Sequence, residues 1–234
     1  MYTIAFIFLT LAHFYVFKKT LALHRQQPTP YTPILIILAL ALVYDNGLIS
    51  LGRFLGPGPF LQNLSLPRFI MHALITPLLV IYTFGLARLF NLRWAQNRRN
   101  HAIACLTSVL FIIGNIWQDR HGFNLYPKVD HDLLRYTSDS TGPPIFTILT
   151  ILVMIVIGFA ILRQTKSPWV FFGSLFMFIA AAVGGREILP GNTGEAVLLL
   201  SLWLAERRLR QPDYLTTNDP TFFTPSSSPS PPPT

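Results

Sequence analysis

The chain has 234 residues, of which 51% are hydrophobic and 12% charged, and its mean hydropathy is +0.46. It is too apolar for an ordinary soluble domain, and its apolar residues fall in discrete long blocks, so the fold class expected is all-α, a polytopic membrane helix bundle. The net charge of +8 does not point to nucleic acid: no basic cluster is interleaved with aromatics, and the Lys and Arg residues sit in short loops between apolar blocks. A single cysteine, Cys105, excludes an intrachain disulfide.

Runs long enough to cross ~30 Å of hydrocarbon lie near 2–17, 33–51, 69–89, 102–117, 144–162, 169–184 and 188–205, which predicts about seven transmembrane helices. The first run lacks a basic leader and a small-residue cleavage site, and Lys18 and Lys19 follow it directly. It therefore reads as a retained anchor. In the third run Pro77 follows Thr76 and predicts a kink that opens space beside His72. In the seventh, Pro190, Gly191 and Gly194 predict a broken helix or one that starts at Gly194. The domain organisation expected is a bundle over 1–210 and a disordered Pro/Ser-rich cytoplasmic tail over 211–234.

Loops one, three and five and the C-terminal flank carry twelve basic residues, among them Lys18, Lys19, Arg88, Arg98, Arg99 and Arg207; the opposite loops carry six. The bias predicts a lumenal N-terminus and a cytoplasmic C-terminus, with the endoplasmic reticulum as the expected membrane. The sequon Asn63-Leu64-Ser65 then falls in a lumenal loop.

With that direction assigned, polar residues from different spans converge on one end of the bundle. Span two delivers Tyr44, Asp45, Asn46 and Ser50; a carboxylate at that depth costs several kcal/mol, which makes Asp45 a candidate functional residue. Span three delivers Arg68, His72 and Thr76 at i, i+4, i+8, on a single stripe. Span four ends with Asn115, Trp117, Gln118 and Asp119, span six exits into Arg186 and Glu187, and span seven enters with Asn192 and Glu195. The fourth loop adds His121, Asp130, His131, Asp132, Arg135 and Tyr136. At the other end, His13 and His101 read as helix-end or satisfied histidines. Interhelical glue, such as an Asp45–Arg68 or Glu195–Arg186 pair, would account for two or three of these groups. It does not account for four carboxylates, two arginines and a histidine at one end.

No H-E-x-x-H sequence and no histidine pair at i, i+4 within a span is present, so no metal site is expected. General acid chemistry fits better. A buried carboxyl group that keeps its proton can donate it, and Asp45 is the first choice for that acid, followed by Asp119 and Glu195. A direct Arg68–Asp45 pair would remove the role from Asp45. His72 would orient groups or end the reaction as base, with Asn46, Arg68, Asn115, Glu187 and Trp117 contacting substrate. Aromatic residues in the same halves of their spans, Phe6, Phe8, Phe111, Trp117, Phe176 and Phe178, could stabilise a carbocation.

The chain size, the seven predicted spans and the acids at helix ends, with the segments Tyr44-Asp45-Asn46-Gly47 and Pro67-Arg68-Phe69-Ile70-Met71-His72-Ala73-Leu74, resemble the small integral-membrane terpene cyclases of fungal meroterpenoid pathways, in particular the ascochlorin and ascofuranone type. The resemblance covers residues 1–210. It implies acid-initiated cyclisation of a prenylated aromatic with a terminal epoxide on a farnesyl chain, with no cofactor, metal or diphosphate. The expected partners are an apolar terpenoid small-molecule substrate and the lipid bilayer, with no nucleic acid. The rival expectations are a metal-dependent multi-helix lipid hydrolase of the ceramidase type and a non-catalytic transporter or scaffold.

Overall fold

A computed structural model describes residues 1–119, 124–138, 144–184 and 187–211. In chain order the elements are α1 (Tyr2–Gln26), α2 (Thr32–Leu55), α3 (Pro59–Ile75), α4 (Leu78–Leu89), α5 (Arg93–Gln96), α6 (Arg98–Gln118), β1 (Leu125–Asp130), β2 (Leu133–Ser138), α7 (Ile145–Thr165), α8 (Trp169–Val183) and α9 (Ile188–Arg208). Long runs of Leu, Ile, Ala and Phe form helices because only a helix satisfies every backbone group within one apolar segment. Their ends follow local chemistry. Pro falls in the first turn of α2 and α3, where no N–H partner is lost. The Asn97 side chain caps α6 by accepting from the Arg99 N–H at 2.9 Å. Lys166 ends α7 in the left-handed conformation at φ 57, and Pro168 follows.

Among the described residues five helices are long and apolar enough to cross a membrane, and a sixth span arises if the bent pair Pro59–Ile75 and Leu78–Leu89 counts as one. Trp169–Val183, with 15 residues, reaches only ~22 Å at 1.5 Å per residue and falls short of the seventh span that its composition predicts. Small residues let the helices approach closely: a Cβ at Gly158 of α7 would come within 2.7 Å of the Phe171 backbone nitrogen in α8. The main core joins Leu35 and Leu42 of α2, Leu79 and Leu86 of α4, Met154 and Ile161 of α7 and Leu199 and Leu202 of α9. Large apolar side chains such as Phe8, Ile113, Val156 and Phe172 remain exposed, as expected of lipid-facing positions.

Several elements differ from the sequence reading. The helix expected from residue 69 starts at Pro59, because Leu61 is buried against Leu48 and Tyr136 and extends the helix beyond the apolar run. The sequon therefore lies on α3 and not in a loop; Ser65 is 1% exposed and its hydroxyl donates to the Leu61 carbonyl at 2.8 Å. The last helix is continuous across Gly191 and Gly194, since Pro190 sits in its first turn, where a missing N–H costs nothing. The fourth loop, which an all-α reading leaves irregular, holds the antiparallel hairpin β1–β2 in register Leu125↔Ser138 to Asp130↔Leu133. The tail 212–234 and Arg120, His121 and Arg186 lie outside the described residues.

The end of the bundle opposite the hairpin is tied by a buried polar network that the sequence reading passed over. Glu206, 1% exposed, pairs with Arg210 and accepts from Thr32, and it accepts from the Tyr82 hydroxyl at 2.9 Å. Arg210 also donates to the Leu23 carbonyl. Both carboxylate oxygens are satisfied, so the network reads as structural, joining α4 to the ends of α1, α2 and α9.

Candidate active site

At the hairpin end, α2, α3, α6, α7 and α9 and the last residue of β2 enclose a cavity of about 310 Å³. It is lined by Asp45, Arg68, His72, Asn115, Asp119 and Glu195, six of the nine residues the sequence singles out, and also by Thr76, Thr147, Asn192 and Ser138. Its apolar wall includes Leu38, Leu42, Phe69 and Ile75. The other three do not line it. Asn46 is fully buried with its amide donated to the Leu42 carbonyl at 3.0 Å; Trp117 is 67% exposed on the far side of its turn; Glu187 accepts from the Tyr2 hydroxyl at 2.7 Å.

The stripe Arg68, His72, Thr76 faces this space as its spacing requires, and the predicted kink is present as a 43° bend between α3 and α4. Pro77 has no N–H to offer the carbonyl four residues back, that of Ala73. The Asn115 amide takes its place, donating to that carbonyl at 3.0 Å, while Ser108 donates to the Pro77 carbonyl at 2.9 Å. A bend stabilised from α6 spreads α3 from its neighbours and makes room for the cavity.

Arg68 Nε donates to Asp45, forming an ion pair between α3 and α2. The Asp45 charge is thereby compensated by direct pairing, the arrangement under which the sequence reading withdraws the acid role from Asp45. Glu195 differs. Its Oε2 is buried without a hydrogen-bond partner among the described residues, one turn from Asn192 on the same face of α9. Nor does the His72 ring hydrogen-bond any described residue. Asp119 caps the end of α6 through its backbone N–H, bonded to the Asn115 carbonyl at 3.0 Å. Burial pushes its carboxyl above the ordinary range, against the opposing influence of His72. The cavity thus holds one compensated ion pair and, beside it, two carboxyl groups and an imidazole that make no ion pair among the described residues.

The aromatic supply is smaller than the sequence suggests. Phe8, Trp117 and Phe176 are exposed and Phe6 is buried in a separate cluster; among the described residues Phe69 is the one Phe, Tyr or Trp that lines the cavity. Phe69 also receives the Arg68 guanidinium, 5.7 Å from its ring centroid. His13 and His101 lie elsewhere. His13 Nδ1 is 2.7 Å from the Leu9 carbonyl, and the His101 ring packs 5.7 Å from that of Phe84. No group of three His, Cys, Asp or Glu among the described residues is placed to hold a metal ion.

The hairpin closes this end. Its turn residue Asp132 accepts from the Tyr2 N–H at 2.7 Å and the Thr3 N–H at 3.2 Å, capping α1, and pairs with the Met1 amine at 2.9 Å and Arg53 at 3.5 Å. The amine beside it, with the Thr3 and Tyr2 donors, holds the Asp132 carboxyl well below the carboxylate range. Asp130 is lowered too, because bonds from Arg135 and Lys128 outweigh the opposing effect of burial. The acids around His131 are therefore hairpin clasps, as a turn reading of that segment allows. Sequence reasoning placed Asn192 at this end without giving it a role, and left out Thr147 and Phe69 as cavity residues; the adjacency of Phe69 to Arg68 was the available signal.

No protein-family model matches the chain, and no curated protein is significantly similar to it.

Proposed function

We propose that the chain is an integral-membrane terpene cyclase that isomerises a prenylated aromatic by proton donation from Glu195. The observation that carries this reading is the Glu195 carboxyl, whose Oε2 is buried without a hydrogen-bond partner among the described residues, in a cavity whose neighbouring charge, Asp45, is already compensated by Arg68. Burying an unpaired carboxylate is costly, and the neutral acid is the form that can donate. Its proton passes to the terminal epoxide oxygen or alkene carbon of the substrate. A C–O or π bond opens, the next alkene attacks the cationic carbon to close the ring, and Phe69 lies against the developing charge. Loss of a proton to His72, and its return to Glu195, completes a reaction with no net change in composition. Asp119 is the second acid, and Asn115 shapes the cavity through the bend.

In this reading the polypeptide crosses the endoplasmic reticulum membrane seven times, with α8 as the short span and the cavity at the lumenal end. A cavity of about 310 Å³ is at the small end of ligand sites, so it takes the reacting end of the substrate and leaves the remaining chain among lipid. The test is expression in microsomes that lack other pathway enzymes, with a farnesyl-aromatic epoxide as substrate and products read by mass spectrometry and NMR. A cyclised isomer of unchanged mass, formed equally with chelator, is expected. Metal-dependent lipid hydrolysis instead would move the assignment to a hydrolase.

A further inference from the structure

The α9 wall of the cavity has a hydrogen-bonding polarity that the reaction scheme does not use. Asn192 is 8% exposed; its Nδ2 donates to the Ile188 carbonyl at 2.9 Å, which fixes the amide orientation and leaves Oδ1 aimed away from its own backbone. That Oδ1 is buried without a partner among the described residues, as is Glu195 Oε2 one turn further on. Both residues line the cavity. The other lining asparagine, Asn115, likewise has its N–H committed, to the Ala73 carbonyl. A buried acceptor with no donor is costly, and that cost is relieved if a ligand brings the donor.

We infer that Asn192 Oδ1 is the seat of a ligand hydroxyl, so that the cavity selects an amphiphile whose polar end donates a hydrogen bond beside Glu195. A neutral hydroxyl fits better than an ammonium, because Asn192 carries no charge and the adjacent Glu195 carboxyl is read above as the neutral acid, which leaves a cation at this depth uncompensated. An ether or ester at the same position would set two acceptors against each other. The inference rests on this cavity being the reaction site, but its test reads binding and not turnover, so the two can fail separately.

The full-length protein, purified in detergent, is heated with 5-pentadecylresorcinol, with its dimethyl ether and with pentadecylamine. The diol raises the unfolding midpoint by about 3 °C, the dimethyl ether does not, and Asn192→Leu abolishes the diol's effect. Because the Asn192 donor serves only a carbonyl already in the helix, Asn192→Leu is expected to fold; Asn192→Ala gives the same comparison at smaller volume. Equal stabilisation by the diol and its dimethyl ether, stabilisation by the amine alone, no stabilisation by the diol, or a diol effect that survives both Asn192 variants would each overturn the assignment.

Discussion

The Asn115 side chain donates to the Ala73 carbonyl at 3.0 Å, occupying the place that the N–H of residue 77 would fill if that residue were not proline. Two helices thereby share one bend, and the cavity depends on it. Asn115→Ala leaves a buried carbonyl unpaired and is expected to cost about 1–3 kcal/mol. In a Pro77→Ala background the restored N–H reaches Ala73, and the same substitution should cost well under 1 kcal/mol. Reversible unfolding of the four proteins in mixed micelles gives the coupling; equal costs in both backgrounds would contradict the account of the bend.

The Asp45–Arg68 pair is treated above as charge compensation. Arg68→Met should then lower stability by about 3 kcal/mol or more, because it strands the carboxylate. The double variant Asp45→Asn with Arg68→Met should recover most of that loss. Folded yield measured by fluorescence size-exclusion chromatography distinguishes the cases. A double variant no better than Arg68→Met would mean that the two residues do not act on each other.

These two relationships also show how far the sequence could be read. Helix existence followed from run length and composition, and the convergence of Asp45, Arg68, His72, Asn115, Asp119 and Glu195 followed from the direction of each span and the depth of each residue. Pairing was not legible, because which of several carboxylates meets Arg68 depends on helix rotation and tilt, and those are set by packing. That is why Asp45 ranked ahead of Glu195. Trp117 and Glu187 have the right depth and the wrong azimuth. Glu206 was hidden for a different reason: it sits among Arg207, Arg208 and Arg210, where a cytoplasmic flank looks solvated although one of its carboxylates is 1% exposed. The hairpin was missed since its strands are short and alternate weakly, and its order comes from contacts with α1, α2 and α3.

The two glutamates of α9, eleven residues apart and therefore close to the same face, should respond differently. Glu206→Ala uncovers Arg210 and leaves Tyr82 and Thr32 without their acceptor; a loss of about 3–5 kcal/mol and a fall in abundance are expected, with turnover per folded molecule retained. Glu195→Gln should leave abundance unchanged. Quantitative immunoblots beside activity decide this, and normal abundance of Glu206→Ala would remove the network from its structural role.

Acid should release the hairpin. Asp130 and Asp132 are both held below the carboxylate range. The stability they contribute is therefore complete above the unfolded value of about 4 and disappears as pH falls through the folded values. Hydrogen exchange across 124–138 is expected to be slow at pH 7 and 5 and to accelerate, after correction for intrinsic rates, below about pH 4. Asp132→Asn should raise exchange at every pH and flatten the dependence. An unchanged profile in that variant would assign the clasp to other contacts.

The most direct measurement is the turnover of a farnesyl-aromatic epoxide by microsomes carrying the wild-type chain, Glu195→Gln or Asp45→Asn, at matched amounts of folded protein. If Glu195 is the acid, the wild type forms a cyclised isomer, Glu195→Gln loses at least about 100-fold in rate, and Asp45→Asn retains a larger share of activity. Full turnover by Glu195→Gln, or loss confined to Asp45→Asn, would contradict the assignment.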